Sequence, residues 1–297
     1  SGGTQWLRQR LGDAEVGTVT AIGTTTEFDN PASTLNGLVT TGGAGDVGLF
    51  VADGTLTVTQ DVVTDSTGRI DLRTGGSGNT IAINDGAALS AGGGSGSGLI
   101  QLIASGGMQA NTNADATPQL SNSGDVLLTA DGGAIGSGTI PLRLAGDSQL
   151  TASASGDGNG VFLRQVTGDL TVSDVTAYQP TDDDVDNPAV DQADLTTESG
   201  AIVAVSVAGD LILDNNGTDG VRVNAGAAQG HVRLETKAAK PLTLNAGVNA
   251  GGSVILISAG TLGQAGSVVV DAGRSSVASN GTLAVQATSN ISMGGDA

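Results

Sequence analysis

Short runs of alternating apolar and polar residues recur along most of the chain, and many of them end in the same way. An apolar residue, a polar residue, alanine and glycine follow one another in Leu244–Gly247, Ile257–Gly260 and Val270–Gly273. Alternation with a period of two is typical of a β-strand that buries one face. Because glycine adopts positive φ without strain, each phrase predicts a short strand that ends in a sharp bend.

The spacing of these phrases allows two arrangements of the strands. The glycines Gly247, Gly260 and Gly273 are separated by 13 residues each, which fits a hairpin meander or stacked coils of about 20 residues. Asn-Gly and Asp-Gly hairpin loops with complementary flanking strands are sparse, and connections such as Gly92–Gly98 are long. We therefore favour stacked coils, each containing two or three short strands.

Composition supports a narrow all-β core. Glycine occupies 49 of 297 positions, aromatic residues make up only 2%, and the apolar share of 38% is mostly aliphatic. One coil buries too few aliphatic side chains to offset its loss of conformational entropy, so stability must build up as coils stack. The prediction is an all-β, parallel β-solenoid with loop excursions.

The regularity of the repeat divides the chain. Residues 1–41 include Ser1–Asp13, which carries the only Trp and is predicted as a short helix or a flanking strand. We interpret 1–41 as an N-terminal flanking or capping segment and 42–297 as the solenoid. Within it, residues 179–194 are rich in Asp and carry two prolines, which predicts an acidic loop insertion that leaves the solenoid wall.

Charge and residue types narrow the function. With 11 Lys and Arg against 30 Asp and Glu the net charge is −19, which opposes binding to nucleic acids and anionic membranes. No apolar run is long enough to insert into a membrane. His231 is the only histidine and cysteine is absent, so acid, base and nucleophilic groups are almost all carboxylates. We predict that the chain is not an enzyme and holds no cofactor other than calcium.

The acidic insertion contains the candidate metal ligands. Asp182, Asp184 and Asp186 place oxygen donors at alternate positions, a spacing that can surround one Ca²⁺. The spacing partly matches an EF-hand loop, although Asn187 replaces the glycine of the tight turn and Ala193 replaces the last glutamate. The alternative is a solvated acidic loop without a defined ion.

Arginines flanked by apolar residues form a second candidate feature. Strand alternation is expected to turn them outward, where they either line one face as a sparse basic stripe or serve solubility alone. These residues are Arg73, Arg143, Arg164, Arg222 and Arg233.

The glycine-rich phrases resemble a known family. Gly252–Gly260 and Gly281–Val285 are similar to the repeats of filamentous-haemagglutinin-type adhesins, and the resemblance covers about Gly42 to Met293. It implies a right-handed parallel β-helix in a large secreted or cell-surface bacterial protein, exported through an outer-membrane transporter. The secretion domain of that family carries an Asn-Pro-Asn-Gly-Ile motif, whereas Asn30-Pro31 is followed here by Ala32 and Ser33.

The resulting hypothesis is a structural or adhesive segment of an extracellular fibre. Loops on the rigid solenoid, above all Gln179–Asp194, would bind a cell-surface or extracellular ligand, either carbohydrate or protein. Two alternatives remain. A carbohydrate-active β-helix enzyme would use paired carboxylates, but the chain has few aromatic residues for sugar subsites. The second alternative, a calcium-responsive matrix or surface-layer component, is supported only by the acidity of the chain.

If Asp182, Asp184 and Asp186 bind calcium, millimolar Ca²⁺ should raise the thermal unfolding temperature, since an ion that binds only the folded chain stabilises it. The Asp184→Ala variant should lose that shift. Equal melting curves for the two proteins with and without Ca²⁺ would assign the insertion to a solvated loop.

Overall fold

The structure is a computed structural model that describes most of the chain. The described residues are 5–19, 35–40, 45–65, 67–92, 98–111, 117–179, 195–198, 201–214, 223–224, 230–264, 268–270 and 282–293. They form an all-β fold and contain no α-helix. No helix in these ranges is therefore long and apolar enough to span a membrane.

Thirty-one short strands make up the fold, as the alternating pattern predicted. In chain order they are β1 Gln5–Gln9, β2 Ala14–Val16, β3 Thr18–Val19, β4 Leu35–Asn36, β5 Leu38–Val39, β6 Val47–Val51, β7 Leu56–Val58, β8 Val62–Val63, β9 Ile70–Thr74, β10 Ile81–Ile83, β11 Leu89–Ser90, β12 Leu99–Ala104, β13 Met108–Ala110, β14 Leu120–Ser121, β15 Asp125–Ala130, β16 Leu142–Ala145, β17 Ser148–Ala154, β18 Val161–Thr167, β19 Leu170–Val172, β20 Leu195–Thr197, β21 Ile202–Val207, β22 Leu211–Leu213, β23 Val223–Asn224, β24 His231–Thr236, β25 Leu242–Leu244, β26 Val248–Ala250, β27 Val254–Ser258, β28 Leu262–Gln264, β29 Val268–Val270, β30 Leu283–Ala287 and β31 Ile291–Met293.

Three parallel sheets contain nearly all of these strands. Sheet 1 has 15 strands and follows the path β1-β6-β9-β12-β15-β17-β19-β22-β25-β28-β31, with β20, β23, β26 and β29 forming a second column beside the last part of that path. Sheet 2 has the order β2-β7-β10-β13, and sheet 3 runs from β5 through β8, β11, β14, β16, β18, β21, β24 and β27 to β30. Apart from the pair β3/β4, consecutive strands of the chain lie in different sheets up to β19, whereas the pairs β19/β20, β22/β23, β25/β26 and β28/β29 each lie together in sheet 1.

Each strand pairs with its equivalent in the next repeat, where a repeat is the chain between two paired strands of one sheet. Every strand pair in the described ranges is parallel except the short antiparallel pair β3–β4, so the hairpin meander is wrong. The step between paired positions varies from 20 residues, Leu242 to Leu262, to 43 residues, Ala152 to Leu195. This parallel stacking is consistent with a β-helix, and it extends into the segment 1–41 through β1, β2 and β5.

The core is a set of aliphatic columns that run from repeat to repeat. In one column Ile70, Ile100, Val126 and Leu150 are aligned by the strand register, and all four are fully buried. Each such side chain contributes about 1.5–3 kcal/mol when it leaves water. Because the register places like residues over one another, the columns fill the narrow interior with Val, Ile, Leu and Ala, together with Met108.

Strands β6, β9 and β12 of sheet 1 are covered on both faces, whereas β24 and β27 of sheet 3 are covered on one face only. Every residue of β6, β9 and β12 is buried. In β24 and β27, by contrast, buried residues alternate with exposed or half-buried ones. A strand whose outer side chains are also buried must be covered by further chain. That covering chain positions the candidate site described below.

Glycine is required at the corner that leads from sheet 3 back into sheet 1. Gly146, Gly168 and Gly209 occupy successive repeats at this corner, each followed by aspartate. Gly168 has a φ of +82°, and a Cβ atom there would lie 2.5 Å from the carbonyl oxygen of Gly146. The aspartates continue the stack, since the backbone N–H of Asp169 donates to Asp147 Oδ1 at 2.9 Å.

We expect Gly168→Ala to destabilise the fold more than Gly158→Ala. Gly158 has a similar φ of +80° but no heavy atom within 4 Å of an added Cβ, so it isolates the cost of the backbone conformation, about 1–2 kcal/mol. Gly168→Ala adds an overpacking cost of about 1–3 kcal/mol. Urea unfolding measures the stability of both variants. Equal unfolding midpoints would show that neighbouring repeats can move apart at this corner without loss of stability.

Candidate functional site

The chain leaves and rejoins the same strand of sheet 1 around the acidic insertion. β19 pairs with Ser148–Leu150 of β17, and β20 pairs with Ala152–Ala154 of the same strand. The chain therefore leaves sheet 1 after Val172 and returns at Leu195 to a neighbouring position on the same strand. Of the residues between them, 173–179 are described, and we call this segment the strap.

The strap lies on the outer face of sheet 1 and covers it. Val175 is buried in a small second cluster with Leu99, Ile103 and Leu127, which point away from the main core. Ala177 and Tyr178 pack against the same cluster. These apolar contacts explain why the outer positions of β12 are buried, and they bind the strap across several repeats.

Hydrogen bonds fix the end of the strap. The Tyr178 carbonyl accepts from Arg73 Nη2 at 2.8 Å and from Gln101 Nε2 at 2.9 Å. The Tyr178 backbone N–H donates to Gln101 Oε1 at 2.9 Å. Gln101 thus pairs with both backbone groups of Tyr178, as a neighbouring strand would. The strap is anchored by polar contacts immediately before the insertion.

A buried ion pair supports this anchor. Arg73 donates from Nε and Nη2 to the two oxygens of Asp71, both at 2.8 Å, and the two residues are 1% and 3% exposed. Gln101 Nε2 also donates to Asp71 Oδ1 at 3.1 Å. Burial raises the pKa of Asp71, while the hydrogen bonds and charge of Arg73 favour the ionised form. Two-point contact with a guanidinium fixes the orientation of both side chains.

Aromatic residues gather where the strap ends. The Trp6 and Tyr178 rings stack with centroids 5.8 Å apart and an interplanar angle of 19°. Arg69 lies over the Tyr178 ring at 4.4 Å, and Arg8 lies over the Phe50 ring at 5.4 Å. Trp6 and Tyr178 are the only tryptophan and tyrosine in the chain. The contacts therefore concentrate scarce aromatic groups and arginines on one surface.

The position of Trp6 depends on the residue beside it in the next strand. The register of β1 and β6 places Trp6 next to Gly48. A Cβ atom at Gly48 would lie 1.9 Å from the indole ring, so only glycine leaves room for the ring against the sheet. The indole nevertheless stays 43% exposed.

The sequence-predicted site residues have different outcomes. Asp182, Asp184, Asp186 and Arg222 lie outside the described residues. Within the described part of the chain, no three His, Cys, Asp or Glu residues are grouped to hold a metal ion.

The predicted exposure of the arginines is partly wrong. Arg73 and Arg143 occupy outward strand positions but are fully buried, and Arg73 is covered by the strap through Tyr178. Arg164 is half-buried, and Arg233 is exposed and bonded to Glu235 at 2.8 Å. These arginines therefore do not form a continuous exposed basic stripe.

Sequence reasoning missed the strap and its anchor. The alternation Asp71-Leu72-Arg73 is the pattern expected for a strand with a solvated outer face. The one available signal was the position of the only tyrosine, directly before the acidic insertion. Its partners are about 77 and 105 positions away in the chain, so pattern alone could not connect them.

Comparisons with known proteins add no further residues to this site. The chain matches no protein-family model, no curated protein and no solved structure.

We expect Asp71→Asn to loosen the strap and destabilise the fold by about 3–5 kcal/mol, because it removes the negative charge that the buried Arg73 guanidinium faces. Urea unfolding measures the stability, and the fluorescence of the single tryptophan reports the Trp6–Tyr178 contact. Glu235→Gln is the matched control, since its partners Arg233 and Lys237 are exposed and the expected cost is about 1 kcal/mol or less. Equal costs in the two variants would contradict an anchoring role for the buried pair.

Proposed function

We propose that this chain is a right-handed parallel β-helix that serves as a structural and adhesive segment of a large secreted or cell-surface bacterial fibre protein. Its role is to hold binding segments on a rigid scaffold. The resemblance of Gly252–Gly260 to filamentous-haemagglutinin-type repeats supports this assignment, and so does the unbroken parallel stacking of sheet 1.

The main support for the proposal is that both ends of the acidic insertion are attached to sheet 1. On one side, Arg73 and Gln101 hold the carbonyl of Tyr178. On the other side, Leu195 is fully buried and pairs with Ala152 in sheet 1. A loop whose two ends are fixed to one sheet can vary in sequence without disturbing the repeats, which suits a surface that recognises a ligand.

The scaffold has the dimensions of a spacer. The main path of sheet 1 contains eleven strands, and neighbouring strands lie about 4.8 Å apart, so the stack is about 48 Å long. Each repeat contacts its neighbours along continuous hydrogen-bonded ladders, which makes bending costly. A rigid spacer of this kind projects its loops away from the surface that carries the protein.

The proposed partners are extracellular. The ligand of the insertion is a carbohydrate or protein on a cell surface or in the extracellular space, and export uses an outer-membrane transporter. The net charge of −19 opposes nucleic acid and anionic lipid as partners. We propose no catalytic step, because the chain offers one histidine, two lysines and one tyrosine for acid, base or nucleophile chemistry besides its carboxylates.

Replacing residues 181–193 by a Gly-Ser linker of equal length should abolish binding of the chain to cultured epithelial cells, measured by flow cytometry with the labelled protein. The melting temperature should stay unchanged, because Tyr178 and Leu195 remain in place. A control variant replaces Ala238 and Ala239, an exposed turn, by Gly and Ser. Depolymerisation assays on acidic polysaccharides should show no product.

Unchanged cell binding after the insertion is replaced would contradict its role as the adhesive segment. Sustained release of oligosaccharides by the wild-type chain would overturn the non-catalytic assignment.

A further inference from the structure

Sheet 2 ends at β13, although sheets 1 and 3 continue into the following repeats. The next repeat meets β13 at one point only, the isolated parallel bridge between Met108 and Ile135. The Met108 N–H donates to the Ala134 carbonyl at 2.8 Å, and the Met108 carbonyl accepts from the Gly136 N–H at 2.9 Å. Within the described part of the chain, no bridge continues this pairing to Ala110. The last residues of β13 therefore form an open sheet edge.

The backbone groups of Ala110 point towards this open edge. In a parallel sheet, the N–H and C=O groups of one residue bond to one neighbouring strand, and those of the next residue bond to the other neighbour. The Asn111 N–H donates to the Ile83 carbonyl of β10 at 3.1 Å. Since Asn111 bonds to β10, the preceding residue Ala110 faces the opposite side, as Met108 does. A strand placed there would bond to both backbone groups of Ala110.

The next repeat does not fill this position because its chain turns away. Gly136 has a φ of +66°, and a closed turn follows it. In this turn the Ser137 N–H donates to the Ile140 carbonyl at 2.9 Å, and the Ile140 N–H donates to Ser137 Oγ at 2.9 Å. β16 begins only at Leu142, and it pairs with β14 of sheet 3. The turn thus bonds to itself and not to β13.

A groove of about 460 Å³ lies beside the open edge. It is lined in part by Gln109, Ala110, Asn111 and Ile140, and none of the residues that line it in the described structure is charged. Ala110 belongs to the aliphatic core and Ile140 packs against that core, so the inner side of the groove is apolar. Gln109 and Asn111 are exposed, so its outer side is polar. An extended chain that alternates uncharged polar and small apolar residues matches these two sides.

We propose that this groove, called the β13 edge groove below, binds an extended, uncharged peptide segment of a partner protein as an added parallel strand of sheet 2. A small apolar side chain such as valine packs against Ala110 and Ile140, and the polar side chains before and after it lie near Gln109 and Asn111. Main-chain hydrogen bonds supply the affinity in this mode of recognition, and alternate side chains supply the specificity. The site is separate from the acidic insertion.

Two main-chain hydrogen bonds follow from the parallel register. The Ala110 N–H donates to the carbonyl of the peptide residue before the valine, and the Ala110 carbonyl accepts from the N–H of the residue after it. The N–H of the valine itself points away from β13. The peptide therefore depends on the N–H groups of alternate residues, which distinguishes an added strand from a non-specific contact.

Binding can be measured at Ala110 itself. In protein labelled with ¹⁵N-alanine, the amide signal of Ala110 is the one that is missing from the Ala110→Gly variant. Titration with the acetylated and amidated peptide Gly-Thr-Val-Thr-Gly should shift this signal saturably. Maltohexaose at the same concentration should leave the signal unchanged, because a neutral sugar has no peptide backbone to continue the ladder.

Fluorescence anisotropy of the labelled peptide gives the affinities of modified peptides and of protein variants. Methylation of the threonine nitrogen after the valine removes the donor to Ala110 and should weaken binding roughly tenfold. Methylation of the valine nitrogen is the matched control and should leave the affinity nearly unchanged. Ala110→Pro removes the edge donor at a position where a strand tolerates proline, and it should also weaken binding roughly tenfold. Ala110→Gly keeps the donor and should bind normally. Circular dichroism and melting curves confirm that both variants are folded.

Four results would overturn the proposal: no saturable shift of the Ala110 signal, an equal shift with maltohexaose, equal affinities of the two methylated peptides, or equal affinities of Ala110→Pro and Ala110→Gly. The linker variant of residues 181–193 should bind the peptide with unchanged affinity. Failure at the β13 edge groove and failure of the adhesive insertion are therefore read from different measurements.

Discussion

Parallel pairing between successive repeats is the interaction on which the rest of the structure depends. No repeat has a core of its own: Ile70 and Leu72 are buried because Ile100 and Leu102 lie directly above them in register. Hydrogen bonds hold that register, and a shift by one residue would turn each aliphatic column outward. The corner glycines serve the same end, since Gly168 allows its backbone to lie against Gly146 closely enough for the ladders to continue.

The strap adds a second layer to this stack, and its polar anchor differs from the aliphatic core. Arg73, Asp71 and Gln101 form hydrogen bonds that require one position of Tyr178, whereas the contacts of Val175 with Ile103 and Leu127 would tolerate small shifts. A buried ion pair is a weak source of stability but a strong constraint on geometry. We infer that the pair sets where the strap ends, and hence where Trp6 stacks and where the insertion begins.

Periodicity in the sequence was sufficient to predict the short strands and the glycine corners, because each depends on residues within one repeat. The parallel stacking had to be predicted from the long connections and the scarcity of hairpin loops. The phrase Ile257–Gly260 specifies a strand and its bend by itself. Repeat length was less predictable: extra residues in a connection add little loop entropy, so steps near 40 residues coexist with steps of 20. The contacts of Trp6 and Arg69 with Tyr178 join distant parts of the chain, and no local sequence pattern predicts them. The burial of Arg73 was missed for the same reason.

The shared pairing of β19 and β20 with β17 has a consequence for how such a protein can change over generations. Because Tyr178 and Leu195 are both fixed to sheet 1, genetic insertions or deletions between them leave the periodic framework intact. Sequence changes can accumulate in this segment, while substitutions in the stacked strands are constrained by the need to keep the register between repeats.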